Sequence, residues 1–365
     1  MAGIRLEFCG NFWWRPSMPL RMLGLSLLLM AGQVGASSSG VVLVYHHVAT
    51  DTPASTSISP ADFRSHLEYL RDNGFNVIGL DAMVEALQSG GELPDRAVAI
   101  TFDDGYSSIY ETAFPMLRSF DFPFTLFLST GPIDRRLRNY MSWDQIGEMA
   151  SAGVLIANHM VEHPHMLERM EGESEASWIE RLRAELLQAE QTILERTGQS
   201  HRYLAYPYGE FDPAIKDMLR EADFIGFAQN SGAIGPSSDF LALPRYPLAG
   251  SFADLESASL KFATLPFNVQ LLEPESPVTD APTPAVTLQF SPAEVGAYDL
   301  TSLGCFAGGQ PIPLVWLDRD TGIVRLEPET SFSGRRWRYI CTAPDIGSRR
   351  FHWHSVQWIN PTIPE

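Results

Sequence analysis

Cysteine is nearly absent: Cys9, Cys305 and Cys341 are all that 365 residues contain. The middle of the chain therefore has no side chain for thiol catalysis or for a thiolate-held metal. Positive charge is also scarce. Lys and Arg number 26 against 44 Asp and Glu, a formal net charge of -18, and such a field repels a polyanion, so no nucleic acid is expected as a partner. Long apolar runs are missing too: the longest, Met22 to Met30, is too short to span a bilayer comfortably. There is no internal repeat, and the His-Glu-x-x-His order of zinc-protease helices does not occur.

What is present is 45% hydrophobic and 11% aromatic, enough apolar surface for one large domain and one small one. Arg21 before the apolar run, followed by the small residues Val34-Gly35-Ala36, reads as an export signal over residues 1–36 cleaved before Ser37, with an uncleaved anchor as the alternative and Met18 as a second candidate start. The expected address is outside the cytoplasm, in the periplasm or cell envelope or beyond. Cleavage discards Cys9 and leaves Cys305 and Cys341, free either to pair in an oxidising compartment or to stay as buried thiols.

From Val41 to about Phe267, short apolar runs alternate with amphipathic helical stretches, the pattern of an α/β domain. Strands are predicted at Val41–Tyr45, Val98–Phe102, Phe124–Leu128, Val154–Ala157 and Tyr203–Tyr206. Helices are predicted at Pro60–Asn73, Ser107–Phe120, Trp143–Ala152, Glu173–Thr197 and Pro213–Ala222. A Pro-rich, apolar-poor stretch over 273–284 reads as a linker, closing a first domain over 37–272. Short alternating segments in 285–365, such as Val286–Phe290 and Trp337–Cys341, suggest a small all-β, sandwich-like domain.

Four segments carry candidate chemistry. Thr101-Phe-Asp-Asp-Gly-Tyr106 ends an apolar strand in two adjacent carboxylates, Asp103 and Asp104. In α/β architectures sites are built at such strand ends, where one acid can ligate a cation and the other handle a proton; Asp before Gly also serves helix caps and turns, so the pair alone leaves both open. Asn158-His-Met-Val-Glu-His-Pro-His-Met166 follows another strand. His159 and His163, four apart, fall on one side of a helical turn, where they can share a divalent ion with a carboxylate from elsewhere; His165 is expected to pack nearby. Tyr206-Pro207-Tyr208-Gly209 forms a sharp loop able to present backbone N–H groups to an oxyanion and rings to a sugar, or else an ordinary aromatic turn. Finally, Tyr45-His46 ends the first strand, where a His can act as a general acid.

The order of these motifs closely resembles the polysaccharide deacetylases of carbohydrate esterase family 4, over about Val41 to Phe267. The resemblance implies a distorted (β/α) barrel with fewer than eight regular units, and a divalent metal, zinc first, held by Asp104, His159 and His163, with Asp103 as general base. Two positions depart from the family pattern: Ala205 stands where an Arg normally orients the base, and Met160 where Ser or Thr usually follows the first metal His. The late Leu-x-His motif is absent before Phe267. The chain is similar here to the circularly permuted poly-N-acetylglucosamine deacetylases, which begin with a strand ending Tyr-His. By that resemblance His46 inherits the acid role, and Arg245, in Leu243-Pro-Arg-Tyr-Pro247, is the candidate substitute for the missing Arg. Substrate and oxyanion contacts fall to Tyr206, Pro207, Tyr208, Gly209 and Arg245. The implied reaction is metal-assisted deacetylation of an N-acetylated polysaccharide, with O-acetyl esters open, releasing acetate. The alternative is a silent carbohydrate-binding protein on the same scaffold, with the Trp-bearing C-terminal domain docking polymer or an envelope protein.

Overall fold

A computed structural model describes residues 36–291 and 297–364; the expected export signal, up to residue 35, lies outside them. β1 (Gly40–Tyr45) is buried along its whole length, as a strand covered on both faces must be. α1 (Pro60–Asp72) starts where the Ser59 hydroxyl accepts from Asp62 N and Pro60 takes the first turn, and it buries Phe63, His66, Leu67 and Leu70. There follow α2 (Leu80–Ser89), β2 (Ala97–Phe102), α3 (Phe114–Ser119), β3 (Thr125–Leu128), α4 (Trp143–Ser151), β4 (Leu155–Asn158), α5 (Glu175–Thr197), β5 (Tyr203–Ala205), α6 (Pro213–Glu221) and β6 (Ile225–Phe227). β1 to β6 lie side by side in chain order, all parallel.

The sheet then closes on itself. Leu243 bridges to Phe227 at the end of β6, and β7 (Tyr246–Pro247) runs parallel beside Leu43 and Val44 of β1. The strands β1 to β7 thus form the distorted barrel that the resemblance implies. One core packs Leu43, Ile100, Leu126 and Ile156 against the helices; a second joins Val42, Ala99, Phe127, Ala205 and Phe227.

After α7 (Leu255–Phe262) the chain enters a sandwich of two sheets. One contains β10 (Gly304–Ala307), β13 (Arg336–Pro344) and β14 (Phe351–Ile359) with the short segments Leu265–Pro266 and Gln310–Pro311. The other orders β8 (Val269–Glu273), β9 (Val286–Phe290), β12 (Ile323–Leu326) and β11 (Leu314–Asp318). Phe267, Leu288, Phe290, Tyr339 and Trp358 fill the space between them.

The predicted boundary shifts. β8 pairs antiparallel with β9, so the sandwich begins before residue 273 and the Pro-rich stretch is a loop inside it, not a linker. That loop is pinned: Ile359 N donates to Pro277 O, Thr279 N to Ile359 O and Phe332 N to Pro282 O. Cys305 and Cys341 face each other across β10 and β13 and are joined as a disulfide. The tryptophans are mostly engaged internally. Trp358 is core, Trp353 packs on Tyr246 of the barrel, and Trp337 stacks on Phe332. His352 finds partners at hand: its Nδ1 donates to Pro266 O, and its Nε2 lies 3.3 Å from Asp345 Oδ1.

Candidate active site

The strand ends gather the chemistry. β2 stops at Phe102, and Asp104 (φ 74°) and Gly105 (φ 96°) both adopt left-handed backbone. At Gly105 a side chain would be strained twice over, since a Cβ would also sit 3.0 Å from Leu128 and 3.2 Å from Ile133. This sharp turn sends two adjacent carboxylates into different surroundings.

Asp104 faces the histidines. Its Oδ1 lies 3.3 Å from Nε2 of His159 and 3.3 Å from Nε2 of His163. The two rings are not brought together by a helical turn, as the spacing suggests. Residues 159–165 form an irregular loop in which Met160 (φ 67°) and His163 (φ 54°) are left-handed. Such strain clusters where surrounding structure fixes a functional geometry. Asn158 holds the loop from beneath, accepting from Met160 N and donating to Leu186 O and Glu190. Met160 itself is buried beside Met166, Trp178 and Leu182, which explains an apolar residue where the family usually has a hydroxyl.

His159 Nδ1 is bound to the Ala205 carbonyl at 2.7 Å, so the ring donates there and turns Nε2 toward Asp104. That Nε2 is buried and, among the described residues, makes no hydrogen bond. Burial lowers the proton affinity of His159, but Asp104 and Asp103 outweigh it and hold it above its usual range. Burial raises Asp104, and here the His159 contact with the charges of His46, His159 and His163 wins, holding the carboxyl far below its normal value. Burial pushes His163 down to about 4. The pocket is thus a buried negative centre with inward-facing nitrogens, and one ligand atom from each of Asp104, His159 and His163 lies within 4.8 Å of the others. Two imidazoles and one carboxylate match a zinc donor set that leaves room for water. These residues fit a divalent cation.

Asp103 is fully buried and gripped by Arg245, whose Nη1 and Nη2 donate to its two oxygens at 2.7 and 2.8 Å. The guanidinium also donates to Ala228 O and Thr101 Oγ1 and lies over the Phe127 ring. Burial alone would raise the Asp103 pKa; the Arg245 charge reverses that and keeps it ionised. The structure therefore places Arg245 behind Asp103, where a two-pronged grip fixes carboxylate orientation, and its full burial leaves it out of reach of a substrate. His46 is half-buried at the end of β1, and Asp103 N donates to Tyr45 O, tying the two strand ends together. Its charge is felt by Asp103, Asp104 and His163.

The third motif divides. Tyr206 is fully buried with its hydroxyl donating to Leu241 O, so its ring packs in the core rather than lining a sugar cleft. Pro207 and Gly209 are buried too, while Tyr208 (φ 57°) is half-exposed with its ring 4.4 Å edge-on from His163 and stacked 3.8 Å over His165. Residues that escaped sequence analysis complete the site. Tyr106 stacks on His47 at 3.7 Å and neighbours Tyr140; its place beside Asp-Asp-Gly was the available signal. Glu210, buried, is held by Arg335 and Arg336 from the sandwich, a pairing that nothing in the sequence announces.

Residues 90–226 match the family model described as polysaccharide deacetylase. The chain carries a polysaccharide deacetylase domain. It is 26% identical over 230 residues to the poly-beta-1,6-N-acetyl-D-glucosamine N-deacetylase of Staphylococcus epidermidis, covering 57% of this chain and 78% of that protein. The protein of the same name from Escherichia coli strain K12 is 22% identical over 259 residues, and the match takes in 61% of this chain but 38% of that relative, so the chain spans well under half its length. Among solved structures, IcaB from Ammonifex degensii superposes with a TM-score of 0.55 at 26% identity, covering 62% of this chain and 97% of that one. The Streptococcus pyogenes deacetylase PplD in complex with acetate shares the fold at a TM-score of 0.55 and 21% identity, over 61% and 98%.

Proposed function

We propose that this protein is an exported, metal-dependent hydrolase that removes acetyl groups from an N-acetylated polysaccharide, with poly-β-1,6-N-acetylglucosamine the first candidate. One observation carries this: the Asp104–His159–His163 cluster sits beside an Arg-oriented Asp103 at the strand ends of the deacetylase barrel. The named relatives support the substrate class, and the disulfide supports an oxidising compartment outside the cytoplasm.

Asp104, His159 and His163 would hold the ion, zinc first; when bound, it supplies Lewis acidity to water and to the acetyl carbonyl. Asp103 takes the proton of the attacking water, its oxygens aimed by Arg245. The Tyr208 backbone N–H is assigned to the oxyanion. His46 gives a proton to the departing amine, so the amide C–N bond breaks and acetate leaves. The features that favour a silent binding protein have local explanations, since Arg245 supplies the guanidinium missing at Ala205 and Met160 is packed in the core.

The test is acetate release from partially acetylated β-1,6- and β-1,4-linked glucosamine oligomers and from acetyl esters, with zinc supplied, beside Asp103→Asn. Release that the variant loses establishes the activity and names the linkage. A zinc-loaded protein releasing acetate from none of them sinks the proposal and leaves carbohydrate binding.

A further inference from the structure

Glu210 follows the Tyr208–Gly209 turn directly and is completely buried. A carboxylate there needs partners. They come from the other end of the chain. Arg335 donates from Nε and Nη2 to both Glu210 oxygens at 2.5 and 3.0 Å, and Arg336 adds a third bond at 3.2 Å. Arg335 is itself buried and donates further to Pro361 O and Ile363 O, so it is anchored in the sandwich. One residue earlier in the turn, Gln357 of β14 donates to the Gly209 carbonyl at 2.6 Å. Ser231, Ser355 and Trp353 form a hydroxyl–indole junction beside it, and Arg338 donates to Gln229 O.

On its other side Glu210 meets His165 Nδ1 at 3.2 Å. His165 lies flat on Tyr208 with 7° between the rings, the Tyr208 ring abuts His163, and the Arg336 guanidinium covers the same tyrosine at 5.3 Å. A continuous set of contacts therefore runs from β13 through Glu210 and Tyr208 to a metal-ligand candidate. Left-handed Tyr208 thus has its ring between the Arg336 guanidinium of the sandwich and the rings of His163 and His165.

We propose that the C-terminal sandwich is a working part of the active site, with Arg335 as the positioning residue that, through Glu210, fixes the Tyr208–Gly209 turn and the His163 ring against it. This rests on the deacetylase function proposed above. The sandwich is then no detachable polymer-binding module, since removing it strips the turn of the groups that hold it.

Arg335→Ala, Arg335→Lys and Glu210→Gln are compared with Arg325→Ala, which breaks exposed contacts on the far sheet to Glu273 and Glu327. Each protein is checked for cooperative unfolding, zinc affinity by competition with a chromophoric chelator, and steady-state acetate release. Expected are a fall in kcat of about 10-fold or more with KM within about 3-fold, and zinc affinity weakened about 10-fold, in both Arg335 variants; Arg325→Ala stays within about 2-fold. Arg335→Lys keeps the charge but not the fork, so its failure to rescue marks geometry rather than net charge as the requirement. A folded Arg335 variant with kcat and zinc affinity within about 2-fold of the parent overturns the proposal. Should neither Arg335 variant fold, Glu210→Gln decides on the same limits. Should the parent release no acetate from any glycan, the function fails on its own account and zinc affinity alone judges the clamp.

Discussion

At the scale of single residues, the two neighbouring aspartates show how one turn gives identical side chains different partners, Arg245 for Asp103 and two histidines for Asp104. Replacing Asp104 or His159 by Ala removes one of three ligand atoms. The expected outcome is a protein without stoichiometric zinc by elemental analysis and without measurable acetate release, whereas Asp103→Asn keeps its zinc and loses about 10²–10⁴-fold in rate. Normal metal content in Asp104→Ala would refute the ligand assignment. Arg245→Met leaves the Asp103 carboxylate buried and unpaired, at a cost of about 3–5 kcal/mol in denaturant unfolding, and the double variant Asp103→Asn/Arg245→Met recovers a large part of it because no lone charge remains. Equal loss in single and double variants would show that the pair is not coupled. His66 offers a pH test away from the site. The Tyr45 hydroxyl donates to its Nδ1 and its Nε2 donates to Ala253 O, and burial lowers its pKa to about 4. The stability it contributes is complete above the unfolded pKa of about 6.5 and drains as pH falls toward 4, because the unfolded chain binds the extra proton; the total is about 3 kcal/mol. His66→Gln should flatten that part of the stability–pH curve. An unchanged slope would count against a neutral buried ring.

At the scale of elements, the site's geometry lives in loops, and this is where sequence legibility divides. The long strands and helices announce themselves by run length and period: β1, β2, α1 and α6 fall within a residue or two of their predicted bounds. β6 and β7 have three and two residues, too few for any period to register, and α2 and α7 went unread beside them. Asp103, Asp104, His46, His159, His163 and Arg245 all come to one place; motif order points to the first five, and Arg245 is legible only as a substitute for the Arg missing at Ala205. The loop that joins the histidines did not read correctly, since four-residue spacing suggests a helical turn and left-handed Met160 and His163 make something else. Tyr206 misled for a related reason: sequence cannot tell which ring of a Tyr-Pro-Tyr turn faces the core. Met160 shows what supports the histidine loop. Met160→Ala should cost about 2–5 kcal/mol in thermal or denaturant unfolding by opening a cavity against Trp178 and Leu182, with zinc still bound at pH 7 when the fold is saturated. A loss under about 1 kcal/mol would mean the surroundings collapse to fill it.

At the scale of the whole molecule, barrel and sandwich share a boundary built from side chains of both. The Pro-rich stretch looked like a linker because composition reports solvent-friendly backbone, and a loop pinned along a sandwich edge has the same composition as a free tether. The disulfide is the one covalent tie inside the sandwich, between strands far apart in sequence. Cys305→Ser/Cys341→Ser should lower stability by about 2–4 kcal/mol, read as a lower melting temperature that matches the parent in reductant. A melting curve unmoved by either treatment would show that strand pairing suffices.

The closing strand has a consequence for how the protein comes into being. Arg245 arrives after every metal-ligand candidate has been made, and Arg335 and Gln357 arrive later still, near the end of the chain. A chain interrupted between residues 210 and 335 already carries all three motifs, yet Glu210 lacks Arg335, and short of residue 245 Asp103 lacks Arg245 as well. The contacts that surround Asp103 and Glu210 are thus complete only once the last strands of the sandwich have been made.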